Sequence, residues 1–499
     1  MKHSFIVFLV AFAYAAPLPA EPPKTNFVLI MCDDLGWGDV GFNGGKIIKT
    51  PRLDTMAANA MKFTRFYAAS AVCSPTRGSV MTGRHPFRYG IPTANAGHIK
   101  PQELTLAELL KRMGYTTGHF GKWHLGTLTK TVRESNRGGE KGIKNFAPPW
   151  VNGFDVCFST EAKVPTYDPM LKPKTGASGK GWDYIKDKNE AVPYNTHYWN
   201  EKGEMVKDNL EGDDSRVIAD RAVPFIEKAA RDGKPFLAVV WFHTPHLPVV
   251  AGPQHAKMYE KYDSFRKNYY GCVTAMDEQV GRIRESLLKA GVAENTMVTF
   301  CSDNGPEGSK SAPGSAGIFR GRKRDLYEGG VRVPGLIEWP AKIKAGTITD
   351  YPAVTSDYLP TILEIVGTRL PAPRPMDGLS LLPVFNGSVK ERPSPIGFNF
   401  AGRQALSDNR YKLVYYSAKG RRKGKKGKKA KAEGAPGKKE TQPKEPALKY
   451  KLYDLLDDPS ESKDIAAEHP EVYKSMAATL EAWVASCRQS SAGKDYGAD

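Results

Sequence analysis

The chain has 499 residues, of which 40% are hydrophobic and 10% aromatic, a composition typical of a globular protein with two domains or subdomains. Six cysteines are too few for a disulfide-bonded scaffold, and their spacing does not match a zinc site. The formal net charge is +18, but residues 419–444 hold twelve Lys or Arg and two Glu, which contributes +10 and leaves +8 for the rest. The basic character is therefore largely local.

Residues 1–20 have the pattern of a secretory signal peptide. Lys2 and His3 precede an apolar run from Phe5 to Ala15, and small residues that suit cleavage follow. The run is shorter than the roughly 20 residues that a transmembrane helix needs, and no later segment is predicted to span a membrane. We therefore expect a secreted or periplasmic protein.

Three apolar runs each end in a cluster of polar residues. They are Asn26–Met31 before Asp33 and Asp34, Phe236–Phe242 before His243 and His246, and Thr296–Cys301 before Asp303 and Asn304. Continuous apolar runs of this length are typical of buried strands in a parallel sheet. In such sheets ligands bind beyond the carboxyl ends of the strands, where all three polar clusters lie.

Helical patterns alternate with these strands. The predicted helices run from Thr105 to near Gly114, from Ser215 to Arg231 and from Asp277 to Ala290, and the first opens with a Thr105–Glu108 capping box. The alternation predicts an α/β fold with helices on both faces of a sheet. Residues 130–213 have weak periodicity and are predicted to form long loops with short elements at the mouth of the site.

The pattern changes after Pro383. Arg410–Tyr416 and Lys449–Tyr453 alternate like two strands of a small antiparallel sheet, and Pro470–Cys487 predicts an amphipathic helix. We therefore expect a large N-terminal domain, 23–385, followed by a C-terminal subdomain, 386–490.

A lysine-rich insert at residues 419–446 lies between those two strands. Gly, Lys and Pro dominate it, which is typical of a disordered, solvated loop. The alternative is a contact with a polyanion, such as an acidic polysaccharide or a cell surface. Nucleic acid is not expected as a partner of an exported protein.

The segment Cys73-Ser74-Pro75-Thr76-Arg77, followed by Thr82-Gly83-Arg84, resembles the signature of type I sulfatases in the alkaline phosphatase superfamily. The resemblance implies that a formylglycine-generating enzyme oxidises Cys73 to formylglycine, whose hydrate is the nucleophile. Pro75 is predicted to begin a helix, which places Cys73 at a helix amino terminus that favours an anion. Arg77, in the same turn, would stabilise the hydrate. The alternative is a buried structural cysteine.

Asp33, Asp34, Asp303 and Asn304 offer hard oxygen ligands at the predicted ends of two strands. Such ligands suit Ca²⁺, or Mg²⁺, better than zinc. Each pair alone is as typical of a tight turn, but their joint position after two core strands favours a metal site. The opening segment 26–39 also resembles the sulfatases, and the resemblance adds residue 73 to the metal ligands.

Gly114–Gly126 resembles a second sulfatase signature. The resemblance places its Lys122 against the sulfate and its His124 against the modified nucleophile. The segment 243–248 resembles another family motif, in which His246 would contact the sulfate and could protonate the leaving oxygen. His243 is expected to be a packing or hydrogen-bonding residue.

The segment 319–334 resembles a fourth family motif, and its spacing to Tyr327-Glu328-Gly329-Gly330 identifies Lys323 as the lysine near the leaving group. Together these matches run from Asn26 to about His469. They imply a large mixed, mostly parallel sheet sandwiched by helices, with a smaller C-terminal antiparallel sheet plus helix.

The resemblance also implies a two-step mechanism. The metal-bound hydrate attacks sulfur with Asp303 as base, and the alcohol leaves with help from His246 or Lys323. His124 then assists the collapse of the enzyme-bound sulfate hemiester to aldehyde and sulfate. A covalent intermediate splits a difficult hydrolysis into two easier steps.

A sulfated carbohydrate is the substrate expected of an exported sulfatase, with aryl sulfates as surrogates. Residues that could line a sugar subsite are Asn95, His98, Tyr194, His197 and Trp199. One alternative is a phosphoesterase of the same superfamily, which the Asp303-Asn304 pair and the cysteine motif disfavour. The other is an inactive sulfatase fold that binds polyanions.

Overall fold

The structure is a computed structural model that describes residues 24–135, 137–371, 374–416 and 449–496. The predicted signal peptide and the lysine-rich insert at 419–446 lie outside these ranges. Within them, no helix combines the length and the apolar character that crossing a bilayer requires.

The strands of the described chain are β1 (Asn26–Cys32), β2 (Met61–Phe63), β3 (Phe66–Tyr67), β4 (Thr116–Lys122), β5 (Val156–Thr160), β6 (Leu171–Pro173), β7 (Ala191–Pro193), β8 (Phe236–Trp241), β9 (Thr296–Ser302), β10 (Arg332–Val333), β11 (Gly335–Glu338), β12 (Ile348–Thr349), β13 (Ala353–Val354), β14 (Ile396–Phe400), β15 (Arg403–Ser407), β16 (Tyr411–Tyr415) and β17 (Lys451–Asp454). The α-helices are α1 (Pro51–Asn59), α2 (Cys73–Thr82), α3 (Leu106–Arg112), α4 (Asp214–Arg231), α5 (Pro253–Met258), α6 (Ser264–Lys289), α7 (Glu328–Val331), α8 (Tyr358–Ile365), α9 (Leu382–Phe385) and α10 (Pro470–Ser491).

Eight strands form the central sheet, in the order β12-β2-β11-β9-β1-β8-β4-β5. The strands from β9 to β5 run parallel, whereas β11 is antiparallel to both of its neighbours. Odd-numbered residues of β1 from Phe27 to Met31 pack into one apolar cluster, and even-numbered residues from Val28 to Cys32 pack into another. Helices cover both faces of the sheet, so its strands are apolar on both sides. The predicted α/β class is confirmed.

Two predicted helices have nearly the expected bounds. In the capping box of α3, the N–H of Glu108 donates to Thr105 Oγ1 at 3.1 Å and the N–H of Thr105 donates to Glu108 Oε2 at 2.8 Å. Helix α4 begins one residue before the predicted Ser215 and ends at Arg231, as predicted.

Helix α6 is much longer than predicted, because it begins at Ser264 instead of Asp277. Asp263 caps its amino end by accepting the N–H of Arg266 at 3.0 Å. Every residue from Asn268 to Asp277 is buried, so this part of the helix lacks the amphipathic period on which the prediction rests.

Strands β4 and β5 have no strong signal in the sequence. β4 contains two glycines and several polar residues, and β5 lies within the segment 130–213 that is predicted to be mostly loop. Gly121 of β4 has a φ of +106°, and a Cβ there would lie 2.0 Å from the carbonyl oxygen of Trp241 in β8. The close approach of the two strands therefore requires glycine at this position.

The C-terminal sheet has the antiparallel order β14-β15-β16-β17. β16 and β17 correspond to the two predicted strands, and β14 and β15 extend the sheet. One face packs against α10 through Leu413 and Leu480. The other face packs against the large domain through Phe398 and Tyr67. The small sheet therefore lies between α10 and the part of the chain that carries the central sheet.

Lys412 of β16 is a fully buried cation at this junction. Its Nζ donates to Glu328 Oε1 at 2.8 Å and lies 3.3 Å from Glu461 Oε1. Burial alone would lower the pKa of Lys412, but the two carboxylates outweigh that effect and raise the pKa. The N–H of Glu328 donates to Glu461 Oε2 at 2.6 Å, so the three residues form one buried network.

We expect Lys412→Met to lower the free energy of unfolding by about 3–5 kcal/mol, because it leaves the buried carboxylate of Glu461 without a cation and that of Glu328 with Arg332 alone. Lys451→Met is the matched control. Its side chain is 57% exposed in the neighbouring strand, and its ion pair with Asp464 should contribute less than about 1 kcal/mol. Urea unfolding followed by circular dichroism measures both. Equal losses would contradict this account.

Candidate active site

The carboxyl ends of four adjacent parallel strands form the candidate site. Cys32 of β1 pairs with Ser302 of β9, and Met31 of β1 pairs with Trp241 of β8, so the polar residues that follow these strands lie side by side. The site residues from the strand ends are Asp33 and Asp34 after β1, Lys122 and His124 at β4, His246 after β8, and Asp303 and Asn304 after β9.

Cys73 is the first residue of α2, which begins two residues before the predicted Pro75. The side chain is buried, and its Sγ lies 3.4 Å from His124 Nδ1. Burial is the main reason why the pKa of the Cys73 thiol is raised. Candidate ligand atoms of Asp33, Cys73 and Asp303 lie within 4.8 Å of one another. Cys73 thus lies beside the predicted metal ligands.

Arg77 lies one helical turn after Cys73 and is fully buried. Its Nε and Nη2 donate to Asp303 Oδ2 at 3.1 and 2.7 Å, and its Nη1 donates to the carbonyl of Lys122 at 2.8 Å. Burial, and then the charge of Asp33, raise the pKa of Asp303 to about 7 although Arg77 opposes this rise. Arg77 therefore orients a predicted metal ligand, and its contact with a hydrate at position 73 stays a prediction.

Two buried lysines reach the aspartates from opposite sides. Lys122 Nζ donates to Asp33 Oδ2 at 2.5 Å, and Lys323 Nζ lies 2.6 Å from Asp34 Oδ1. Burial alone would raise the pKa of Asp33, but Lys122 and the other nearby cations hold it well below its usual range. Lys323 also lies 3.4 Å from Glu307 Oε2. The structure thus brings both predicted lysines to the site.

The predicted metal ligands fit a hard cation. Asp33 Oδ1 and Asn304 Oδ1 are buried and have no hydrogen-bond partner within the described residues. A divalent cation would satisfy both oxygens, because buried polar atoms are costly when they lack a partner. Asn304 Nδ2 donates to Asp34 Oδ1 at 2.7 Å, which directs its own oxygen away from that carboxylate.

The two predicted catalytic histidines differ in how they are held. His124 has a left-handed backbone with a φ of 57°, and its carbonyl accepts the Ser74 hydroxyl at 2.5 Å. His246 Nδ1 donates to the carbonyl of Leu247 at 2.7 Å, which leaves Nε2 3.7 Å from Asp34 Oδ2. Burial is the main reason why the pKa of each histidine lies well below its usual range.

His243 lies in a separate buried network. Its Nδ1 lies 2.8 Å from Asp214 Oδ2, and its Nε2 lies 2.7 Å from the hydroxyl of Thr160. Both ring nitrogens are therefore occupied by side chains outside the predicted ligand cluster, as expected for a structural histidine.

Comparisons with known proteins agree with this geometry. A family model described as Sulfatase matches residues 25–368. The chain belongs to the sulfatase family. It is 34% identical over 404 residues to the N-acetylgalactosamine-6-sulfatase of Mus musculus, and the alignment covers 78% of this chain and 71% of that relative. It is 30% identical over 530 residues to the steryl-sulfatase of Rattus norvegicus, and the alignment covers 94% of this chain and 90% of that relative.

Solved structures agree as well. The crystal structure of Ps i-CgsB superposes with a TM-score of 0.73 at 26% identity and covers 94% of both chains. Its complex with k-i-k-neocarrahexaose gives a TM-score of 0.72 at the same identity. Sulfatases are sulfuric ester hydrolases, so the activity of this sulfatase is the hydrolysis of sulfate esters.

Arg137 is a site residue of the sulfatase that the sequence analysis did not identify. Its buried guanidinium donates to the carbonyl of His124 and to the hydroxyl of Ser74, both at 2.6 Å. Burial is the main reason why its pKa is lowered to about 10. The side chain connects the His124 loop to the start of α2. One arginine in a loop without periodicity gives no sequence signal for such a position.

A cavity of about 760 Å³ opens above Cys73. Asn95 and Tyr194 line it, as predicted. His98, His197 and Trp199 are not among its lining residues, so the structure does not support their prediction as part of a sugar subsite.

Each of these three side chains forms a hydrogen bond with another residue. His98 hydrogen-bonds with Asn145. His197 Nδ1 and Trp199 Nε1 lie 2.6 and 3.0 Å from the buried carboxylate of Glu134.

Replacing Arg137 should impair the positioning of His124 while leaving Lys122 and Lys323 in place. We expect Arg137→Met to lower kcat for sulfate release by about 10- to 100-fold, the effect of losing hydrogen bonds to a charged group, with little change in KM. Arg137→Lys should retain part of the activity, and Arg112→Met, at an exposed position of α3, should retain all of it. Thermal unfolding checks that each variant is folded. An unchanged kcat in Arg137→Met would refute this role.

Proposed function

We propose that this sulfatase removes sulfate from a sulfated carbohydrate through formylglycine at position 73 and a divalent cation, Ca²⁺ or Mg²⁺. The observation that carries the proposal is the cluster in which Cys73, at the start of α2, lies beside Asp33 and Asp303 under an open cavity. The names of one relative, an N-acetylgalactosamine-6-sulfatase, and of a structural neighbour bound to neocarrahexaose support a sugar substrate.

Asp33, Asp34, Asp303 and Asn304 would hold the cation together with the side chain of residue 73. A hydrated aldehyde at position 73 supplies a hydroxyl nucleophile, and a divalent cation supplies stabilisation of negative charge at the reacting oxygens. The unpartnered oxygens of Asp33 and Asn304 support this ligand set.

Two lysines would bind the non-bridging oxygens of the sulfate. Lys122 and Lys323 both line the cavity, and both are held by carboxylates, so their ammonium groups are fixed before substrate arrives. Burial alone would lower the pKa of Lys323, but Asp34 outweighs it and raises the pKa. Charges that are oriented in advance stabilise a developing negative charge without reorganisation.

Proton transfers would use His124 at one end of the reacting group and Lys323 at the other. His124 Nδ1 is close enough to the residue-73 side chain to take a proton from it. Neutral His246 carries its proton on Nδ1, which the Leu247 carbonyl holds, so its Nε2 has none to give. Lys323 is therefore the better donor to the leaving oxygen. A hydrogen bond from His246 to the sulfate would need a proton on Nε2, which the lowered pKa of His246 disfavours.

The overall reaction consumes one water for each ester and releases the alcohol, sulfate and one proton. A cavity of about 760 Å³ falls within the usual range of roughly 300–1,000 Å³ for small-ligand sites, which is consistent with one or two sugar rings.

The nucleophile can be tested directly. When the protein is produced in a host that contains the maturation enzyme, we expect the peptide with residue 73 to be lighter than its thiol form in mass spectrometry. Cys73→Ala should lower sulfate release from an aryl sulfate by about a thousandfold or more. Cys157→Ala, at a buried thiol in β5, should retain activity. An intact thiol in an active enzyme would overturn the proposal.

The cation can be tested by removal and return. We expect a chelator to lower both sulfate release and Tm, and Ca²⁺ or Mg²⁺ to restore both, since a ligand that binds only the folded state stabilises it by about 2.7 kcal/mol at a hundred times its Kd. Asn304→Ala should reduce the rise in Tm on adding the cation. The exposed Asn59→Ala should not. A Tm that does not respond to chelation or to either cation would exclude this site.

A further inference from the structure

One wall of the active-site cavity carries two cations that lack an acidic partner. Arg133 and Lys163 line the cavity above Cys73. Neither makes a hydrogen bond or an ion pair with any other residue that the structure describes. Arg133 is exposed and Lys163 is half-buried. The charges of Asp33, Asp34, Lys122 and Lys323 act on Lys163 from a distance, but no carboxylate contacts either cation of this wall.

The two cations are held on the same wall by a contact between their loops. The hydroxyl of Ser135 donates to the buried carboxylate of Glu161. Arg133 lies two residues before Ser135, and Lys163 lies two residues after Glu161. The hydrogen bond between Ser135 and Glu161 therefore connects the two loops that carry Arg133 and Lys163.

The acidic residues of this wall are occupied elsewhere. The side chain of Glu134 is fully buried and accepts hydrogen bonds from Trp199 Nε1 and His197 Nδ1. Glu161 is bound to Ser135 and buried. Both carboxylates are therefore already hydrogen-bonded, and neither forms an ion pair with Arg133 or Lys163.

The other cations of the cavity are paired, which sets this wall apart. Lys122 is bound to Asp33, and Lys323 is bound to Asp34. Arg324 forms two hydrogen bonds with the Glu307 carboxylate, at 2.6 and 2.9 Å. Of the five Lys and Arg residues that line the cavity, only Arg133 and Lys163 have no carboxylate partner among the described residues.

We propose that Arg133 and Lys163 form a subsite for a second anionic group, a sulfate or a carboxylate, on the same sugar substrate. The inference rests on the proposed function and narrows its substrate class to carbohydrates with at least two negative charges. The first sulfate goes to the buried lysines beside Cys73. Lys163 and Arg133 are progressively more exposed, so they reach a group farther out in the cavity. An anion would accept charge-assisted hydrogen bonds from both cations.

The test compares substrates that differ only in the second charge. The substrates are an aryl sulfate, a monosulfated sugar, the same sugar with a second sulfate, and the same sugar linked to a uronic acid. We expect Arg133→Met and Lys163→Met to lower kcat/KM on the doubly charged substrates by about 10- to 100-fold, mainly through KM. On the two singly charged substrates the change should stay below about threefold. The doubly charged substrate whose kcat/KM falls in the variants identifies the second group as sulfate or carboxylate.

Two controls separate a binding role from a general effect. Lys141→Met removes an exposed cation from a neighbouring loop that does not line the cavity, and it should leave all four substrates unchanged. Lys163→Arg keeps the charge and should keep the preference for the doubly charged substrates. Higher ionic strength should weaken that preference in the wild type.

The outcomes are distinguishable. If both Met variants lose the same factor on all four substrates, or lose nothing on any, the second subsite does not exist. If the wild type releases sulfate from none of the esters, the proposed function itself fails. If only the doubly charged substrates lose activity, the subsite is established.

Discussion

The balance of buried charge at the ends of β1 and β9 is the constraint on which the site depends. Three carboxylates and three cations lie buried together: Asp33, Asp34, Asp303, Arg77, Lys122 and Lys323. Unpaired charges in such a place would be strongly destabilising. The strands and helices that carry these residues must therefore place each charge beside a partner of opposite sign. The six charges sum to zero, and a bound dication would leave +2, which favours an incoming sulfate ester.

The sequence predicts those parts of the fold in which a hydrophobic pattern can arise from only one kind of secondary structure. Strands β1, β8 and β9 are buried on both faces, so they are apolar throughout, and the polar residues after them mark the site. Residues 268–277 of α6 are also buried on all sides, and there the missing amphipathic pattern prevents prediction of the helix. The loops contain Arg133, Arg137 and Lys163. The roles of these residues depend on tertiary contacts, which produce no periodic pattern in the sequence.

The C-terminal sheet contributes to the site as well as to stability. Phe400, at the end of β14, lines the cavity, and Lys412 of β16 binds Glu328 in the same motif that carries Lys323. The loop that holds a catalytic candidate is therefore supported from two domains. A change in the small sheet can alter both the shape of the cavity and the position of Lys323.

The burial of Cys73 has a consequence for how the enzyme is made. Only 2% of the residue is exposed, and it begins a helix whose residues are all buried. In the folded chain, an enzyme that converts residue 73 as proposed would have little access to the thiol. The proposed conversion would therefore have to precede folding, while the segment is still extended. A chain that folded first would keep the thiol.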